Sequence, residues 1–185
     1  MRWQQSPDRD GLARKAWHLE LNCPQTSAAG RVFDAASSLV CGLDFVSFEA
    51  QGPMFLESLC RSTGERLSLP LAEDGDGILR SDWQPLISML SDDAKSAAWR
   101  AEAFHSSMAH VILDQARRIR EREHLDRVGL CGGVFQNRVL TEQAVELLRQ
   151  NGFEVHLGVE MPCNDAALSF GQAAEVAARE MKAAV

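Results

Sequence analysis

Gly132 and Gly133 close a short apolar run, Arg127 to Cys131, and stand a few residues before a helical pattern. That is where an open α/β sheet meets its ligands, beyond the carboxyl ends of its strands. Glycines there let the backbone come close to a ligand, and their N–H groups can receive phosphate oxygens. A tight strand-to-helix turn that needs positive φ explains the same pair, and local pattern leaves both readings open. Asn137 either caps the next helix or reaches toward a ligand. One β-α unit later, Asn164-Asp165 stands before another helix. A carboxylate there is favoured by the helix dipole, and Asp165 either caps or holds a divalent metal. Histidines 18, 105, 110, 124 and 156 are scattered. His105 and His110 lie five apart, about 140° round a helix axis, so they share no metal-binding face and read as surface or packing residues. No G-x-S-x-G elbow, P-loop or dinucleotide fingerprint occurs, and Gly75-Asp76-Gly77 has no following helix and is a turn.

The elements that must hold these residues follow from hydrophobic spacing. Residues 1–24 are a mainly polar lead-in. From Thr26 or Ser27 as N-cap, Val32, Ala35, Ala36, Leu39 and Val40 recur at helical steps until Gly42. A second helix starts near Gly52-Pro53 and carries Phe55, Leu56 and Leu59. Leu67 to Leu71, a turn over Glu73 to Gly77, and Ile78-Leu79 predict a hairpin with Pro70 on an edge. Trp83 to Leu90 reads as a short helix and Ala97 to about Arg120 as the longest one, buried on Ala101, Phe104, Met108, Val111 and Ile112. Then come the strand 127–131, a helix through Leu140, Ala144, Leu147 and Leu148 closed by Asn151-Gly152, an alternating strand from Phe153 to Val159, and an alanine-rich helix through Met181. The last two strands should pair in parallel through a right-handed crossover, in an α/β domain.

With 185 residues and 45% apolar composition, one domain with its own core is expected. A net charge of −7 is the wrong sign for direct nucleic-acid binding, which rests on Lys and Arg. Arg117 to Arg127 alternates charge like a solvated face. Five cysteines without C-x-x-C spacing read as reduced thiols of a cytoplasmic protein. No run is long and apolar enough for a membrane span, and no apolar signal core opens the sequence.

The order of four segments carries a resemblance. These are Thr26 to Ala35; Phe48 to Glu57; Phe104-His105 with Ala109; and Gly132-Gly133-Val134-Phe135-Gln136-Asn137 followed by Pro162-Cys163-Asn164-Asp165 and Gly171-Gln172-Ala173-Ala174. Together, over about residues 15 to 178, they resemble the C-terminal end of the hydrogenase maturation carbamoyltransferases of the HypF family. The resemblance implies an actin-like, ribonuclease-H-type lobe with a mixed sheet packed by helices, spanning residues 25–183. It implies ATP lying between two such lobes, with Gly132 and Gly133 cradling phosphates, Asn137 supporting the turn, and Asp165 on a bridging divalent metal such as Mg, Mn or Fe. Asp34 and Glu49 fall in the segments of the ribose and base side. In the family, carbamoyl phosphate and ATP give a carbamoyl-adenylate whose carbamoyl group passes to the C-terminal cysteine of HypE. This chain lacks the family's N-lobe and its YrdC-like, zinc-finger and acylphosphatase parts. A lobe inactive alone is therefore expected, joined by the missing N-lobe or a HypE-like partner, or self-associating on an exposed apolar face. The alternative is a non-catalytic accessory protein.

Two departures from the family pattern bear on the backbone. The usual Tyr-Glu-Gly-Gln-Ala-Ala-Met is Phe48-Glu49-Ala50-Gln51-Gly52-Pro53-Met54, and the usual Asn-Asp-Gly-Gly is Asn164-Asp165-Ala166-Ala167. Alanine for glycine at either place is expected to obstruct backbone approach or force a strained φ.

Overall fold

The computed structural model describes residues 11–43 and 45–183. Its centre is the long helix α5 (Ala97–Glu123), and the other elements collect round it. Before α5 come α1 (Leu12–His18), α2 (Ala29–Cys41), α3 (Gln51–Ser58), the hairpin strands β1 (Leu71–Glu73) and β2 (Leu79–Ser81), and α4 (Gln84–Leu90). After it come β3 (Arg127–Leu130), a 3₁₀ turn over residues 133–136, α6 (Arg138–Gln150), β4 (Glu154–Leu157), a 3₁₀ turn over 165–167, and α7 (Leu168–Ala183).

The core follows the helical periodicity. Phe33, Ala36 and Val40 of α2, Leu56 of α3, Leu86 and Leu90 of α4, and Leu140, Ala144 and Leu148 of α6 close on Ala101, Phe104, Ala109 and Leu113 of α5. Phe33 meets Phe104 edge-on at 4.8 Å between ring centres. Met108, Val111 and Ile112, expected on the buried face, are half-buried at its margin. Gly42 ends α2 at φ 67. The α2 start lies a residue or two beyond the expected cap: Ala28 is the N-cap and Thr26 Oγ1 accepts the Ala28 N–H. At the α6 end it is Gly152, at φ 79, that takes the left-handed step, while Asn151 keeps a negative φ.

The sheet differs from the expected single mixed one. Among the described residues there are two separate pairs: β1 and β2 antiparallel, with Leu71 opposite Ser81, and β3 and β4 parallel, with Arg127 opposite Glu154. The hairpin begins after Pro70 instead of at Leu67, because proline has no ladder donor; its carbonyl accepts from Asp82 instead. The parallel pair came out as expected. It positions the candidate site, because both strands end in turns of the same face of the unit. Within the lead-in, α1 is a helix that buries no residue. No helix among the described residues is long and apolar enough to cross a membrane.

Exposed apolar side chains gather on the last unit: Leu157 at the end of β4, Val159 after it, then Leu168, Phe170, Val176 and Met181 on α7. A second group, Phe45, Val46, Phe48, Met54 and Phe55, lies at and before α3.

Candidate functional site

At the end of β3 the chain turns sharply. Gly132 has φ 110 and ψ 152, a conformation open almost only to glycine. Its N–H donates to the Cys163 carbonyl at 2.6 Å, which ties the glycine turn to the Pro162-Cys163-Asn164-Asp165 segment. Gly133 is different: its φ is not positive, and a Cβ there would meet only Asn164 Cβ at 3.9 Å, ordinary contact. Turn geometry therefore demands glycine at 132 and not at 133. Gly133 and Val134 open the 3₁₀ turn, so their N–H groups have no partner within it, and no other acceptor among the described residues takes them. Two unpaired donors thus stand side by side at an exposed residue without a side chain.

Asn137 is buried; it caps the helix as one reading had it, and its other amide end is taken by protein instead of pointing to a ligand. Its Oδ1 accepts the Leu140 N–H at 2.8 Å, capping α6, and its Nδ2 donates to His105 Nε2 at 3.0 Å. His105 is fully buried, and its Nδ1 lies 2.8 Å from the Ala101 carbonyl. A carbonyl only accepts, so Nδ1 carries the proton and Nε2 is the lone pair that Asn137 meets. The expectation of a packing histidine was right, but it missed this bond to the glycine turn's neighbour.

Cys60 Sγ stands 3.3 Å from the same Nδ1, completing a Cys, His, Asn row of the kind used by thiol nucleophiles. The chemistry is otherwise. Burial first, then Glu102 and Glu57, push the Cys60 thiol up to about 12, and neither imidazole nitrogen is free to take its proton. The row is structural.

Burial lowers the His105 pKa from 6.5, against the opposing effects of the Ala101 carbonyl and the Glu57 charge. The unfolded chain thus takes up a proton below about pH 6.5 that the native state refuses. Stability is full above that pH and falls as pH drops toward the native pKa, by at most ~1.4 kcal/mol per unit. Urea midpoints at pH 7.5 and 5.5 should differ more for this protein than for His105→Gln, and equal slopes would refute the assignment.

The N-terminus of α6 is closed from a second side. Glu57 Oε1, on α3, accepts the N–H groups of Arg138 at 2.8 Å and Val139 at 3.3 Å, across 81 and 82 residues of chain. With Asn137 on Leu140, the first three free amides of α6 are all satisfied by protein. Sequence spacing gave no sign of this role for Glu57, because the contact joins two helices far apart in the chain.

Asn164 caps the second turn through Oδ1 to Ala166 N at 3.2 Å, and Asp165 beside it is exposed. No three of His, Cys, Asp or Glu gather among the described residues as a metal would need. Asp165 alone does not make a divalent-ion site. Asp34 pairs with Arg31 at 2.9 Å on α2, and Glu49 is exposed in the turn before α3. Ala166 and Ala167 keep negative φ, so the expected strain is absent there; Ala50 bears it, at φ 64. Ala50→Gly should stabilise the protein by roughly 0.5–1 kcal/mol, since alanine resists the left-handed region. A thermal midpoint unchanged or lowered would contradict this.

A parallel strand pair, a glycine turn with two free amides and a second capped turn tied to it define an α/β lobe of the strand, turn, helix kind. The chain belongs to the carbamoyltransferase family, as the second subdomain of its Kae1-like domain, whose profile matches residues 2–172. It is 32% identical to carbamoyltransferase HypF of Synechocystis sp. over 171 residues, covering 90% of this chain and 22% of the relative. The HypF of Rhodobacter capsulatus is 34% identical over 91% of this chain and 22% of its own length, and a HypF homolog of Cupriavidus necator 34% over 90% and 44%. The crystal structure of full-length HypF in the phosphate- and nucleotide-bound form superposes with a TM-score of 0.84 at 30% identity, over 91% of this chain and 23% of that one. The chain thus spans about a fifth of the first two relatives.

Proposed function

We propose that the chain is the phosphate-receiving half of a HypF-type carbamoyltransferase site, an actin-like lobe that binds ATP and completes carbamoyl transfer only with the facing lobe closed over the cleft. The observation that carries this is Gly133. Neither its backbone conformation nor its neighbours require glycine, yet its amide and that of Val134 are free and open. That is the arrangement a phosphate cradle needs. The phosphate- and nucleotide-bound form of a full-length relative supports the same reading.

The chemistry of the family would run as condensation of carbamoyl phosphate with ATP, then transfer to a HypE-like cysteine. This lobe would contribute oriented N–H donors to the phosphates, with Asn137 holding the turn. Any divalent metal would draw on Asp165 and on ligands from the facing lobe. Half a cleft cannot exclude water from phosphate chemistry, so this lobe would act only together with the facing one. The exposed apolar groups on α7 and before α3 favour a docking surface for the family's N-lobe or a second copy.

Gly133→Ala tests the reading. Its fold and thermal midpoint should match the parent, because the new Cβ meets only ordinary contact. Its affinity for ATP with Mg²⁺, measured by calorimetry with a HypF N-terminal fragment present, should fall at least tenfold. Equal affinity, or no binding by the parent protein, would sink the proposal.

A further inference from the structure

We infer that Glu57 is an internal anion, a carboxylate that occupies the N-terminus of α6 and confines phosphate to the glycine turn. The inference deepens the phosphate reading given above and rests on it only for the role of the turn; the closing of α6 stands on geometry alone.

A helix N-terminus collects free N–H groups and the positive end of the dipole, so it draws anions. A glycine turn that leads into a helix usually offers both its own amides and those of the helix. Here the two are separated. Gly133 and Val134 are free, but Arg138 and Val139 donate to Glu57 Oε1 and Leu140 donates to Asn137 Oδ1. Glu57 is fixed by α3, which packs on α2 and α5, so the carboxylate is delivered by the fold and not by a mobile loop. Its charge is felt throughout this corner, raising the Cys60 thiol and opposing the fall at His105. A phosphate oxygen seeking the α6 amides would have to displace a bound carboxylate and approach its charge.

Two consequences follow. The turn must hold phosphate with two amides instead of five, which limits what this lobe binds by itself. The negative charge also repels any anion that drifts past Val134 toward α6, so Glu57 selects where the phosphate sits.

The test uses the 185-residue chain, labelled with ¹⁵N and titrated with inorganic pyrophosphate at low salt, following backbone amides. In the parent protein Gly133 and Val134 should shift while Arg138 and Val139 stay still. In Glu57→Ala the Arg138 and Val139 amides are freed and should shift with pyrophosphate. Glu57→Gln keeps an oxygen acceptor, and so the fold, but removes the charge. It should bind pyrophosphate at the turn roughly two- to fivefold tighter, an advantage that fades in high salt. Arg138 and Val139 shifting in the parent, or staying still in Glu57→Ala, would overturn the inference. If Glu57→Ala does not fold, Glu57→Gln decides, and unchanged affinity there counts against it. A silent turn in the parent with responsive α6 amides in Glu57→Ala would discard the proposed function and leave the role of Glu57 standing.

Discussion

Gly64→Ala should cost this protein 3 kcal/mol or more and leave it largely unfolded near its normal thermal midpoint. Gly64 lies against the first turns of α5, where an added Cβ would stand 2.3 Å from the Glu102 carbonyl carbon and 2.4 Å from the Ala103 nitrogen. Both are backbone atoms of the central helix, so no side chain can swing aside. Overpacking costs about 1–3 kcal/mol when side chains adjust, and more when backbone must move. The shift would also strain the turn before Gly64, where Glu102 Oε1 accepts the N–H groups of Arg61 at 2.9 Å and Ser62 at 3.0 Å. Those two bonds hold the carboxyl of Glu102 below the usual carboxylate range. Urea unfolding followed by circular dichroism measures the loss directly, and a change under 1 kcal/mol would refute the placement of this segment. Gly52 is a milder companion case. Its Cβ would meet Ser37 Oγ at 2.3 Å, and the alanine of the family pattern has no room there because buried Ser37 fills it.

What the sequence made legible depended on how local each cause was. On α2, Ala36 and Val40 fell on the buried face, but Ala35 is exposed and Phe33 is buried instead. The buried face of α6 followed from spacing, because one amphipathic stripe decides it. Asn137 was readable as a cap for the same reason, since a cap bonds three residues away. The glycine pair was readable as a turn but not as two glycines with different reasons, because only the observed φ of Gly132 and the empty space at Gly133 separate them. Glu57 was invisible, and His105 half visible, since each depends on a partner 32 residues or more away. The exposure of α7 was also illegible: an alanine-rich helix reads alike whether or not the surface that covers it belongs to the same chain. The same holds for the sheet. Strand pairing is non-local, so separate two-stranded pairs could replace a single mixed sheet without altering any local pattern.

Asn137→Ala should damage the protein at two points at once. It removes the cap on Leu140, worth about 1 kcal/mol. It also leaves His105 Nε2 without its partner inside a fully buried site, and an unmet buried acceptor costs about 1–3 kcal/mol more. A total of roughly 2–4 kcal/mol is expected in urea unfolding, which for a marginally stable domain is a large share of the whole. Asn137→Asp separates the two contributions. The carboxylate still caps α6, but it offers no N–H to His105, and at neutral pH it sets an unmatched negative charge against the Nε2 lone pair. His105 can answer by taking a proton, which turns the repulsion into a charge-assisted bond. Its pKa, lowered in the parent, should then rise above 6.5 in Asn137→Asp, and the sign of the pH dependence should reverse. The parent gains stability as pH rises toward 6.5, whereas the variant holds its added stability below 6.5 and loses it as pH climbs through the raised value. Titration of the His105 ring by NMR in both proteins decides the matter. An unshifted ring in Asn137→Asp would mean that the bond between Asn137 and His105 does not hold the glycine turn to α5.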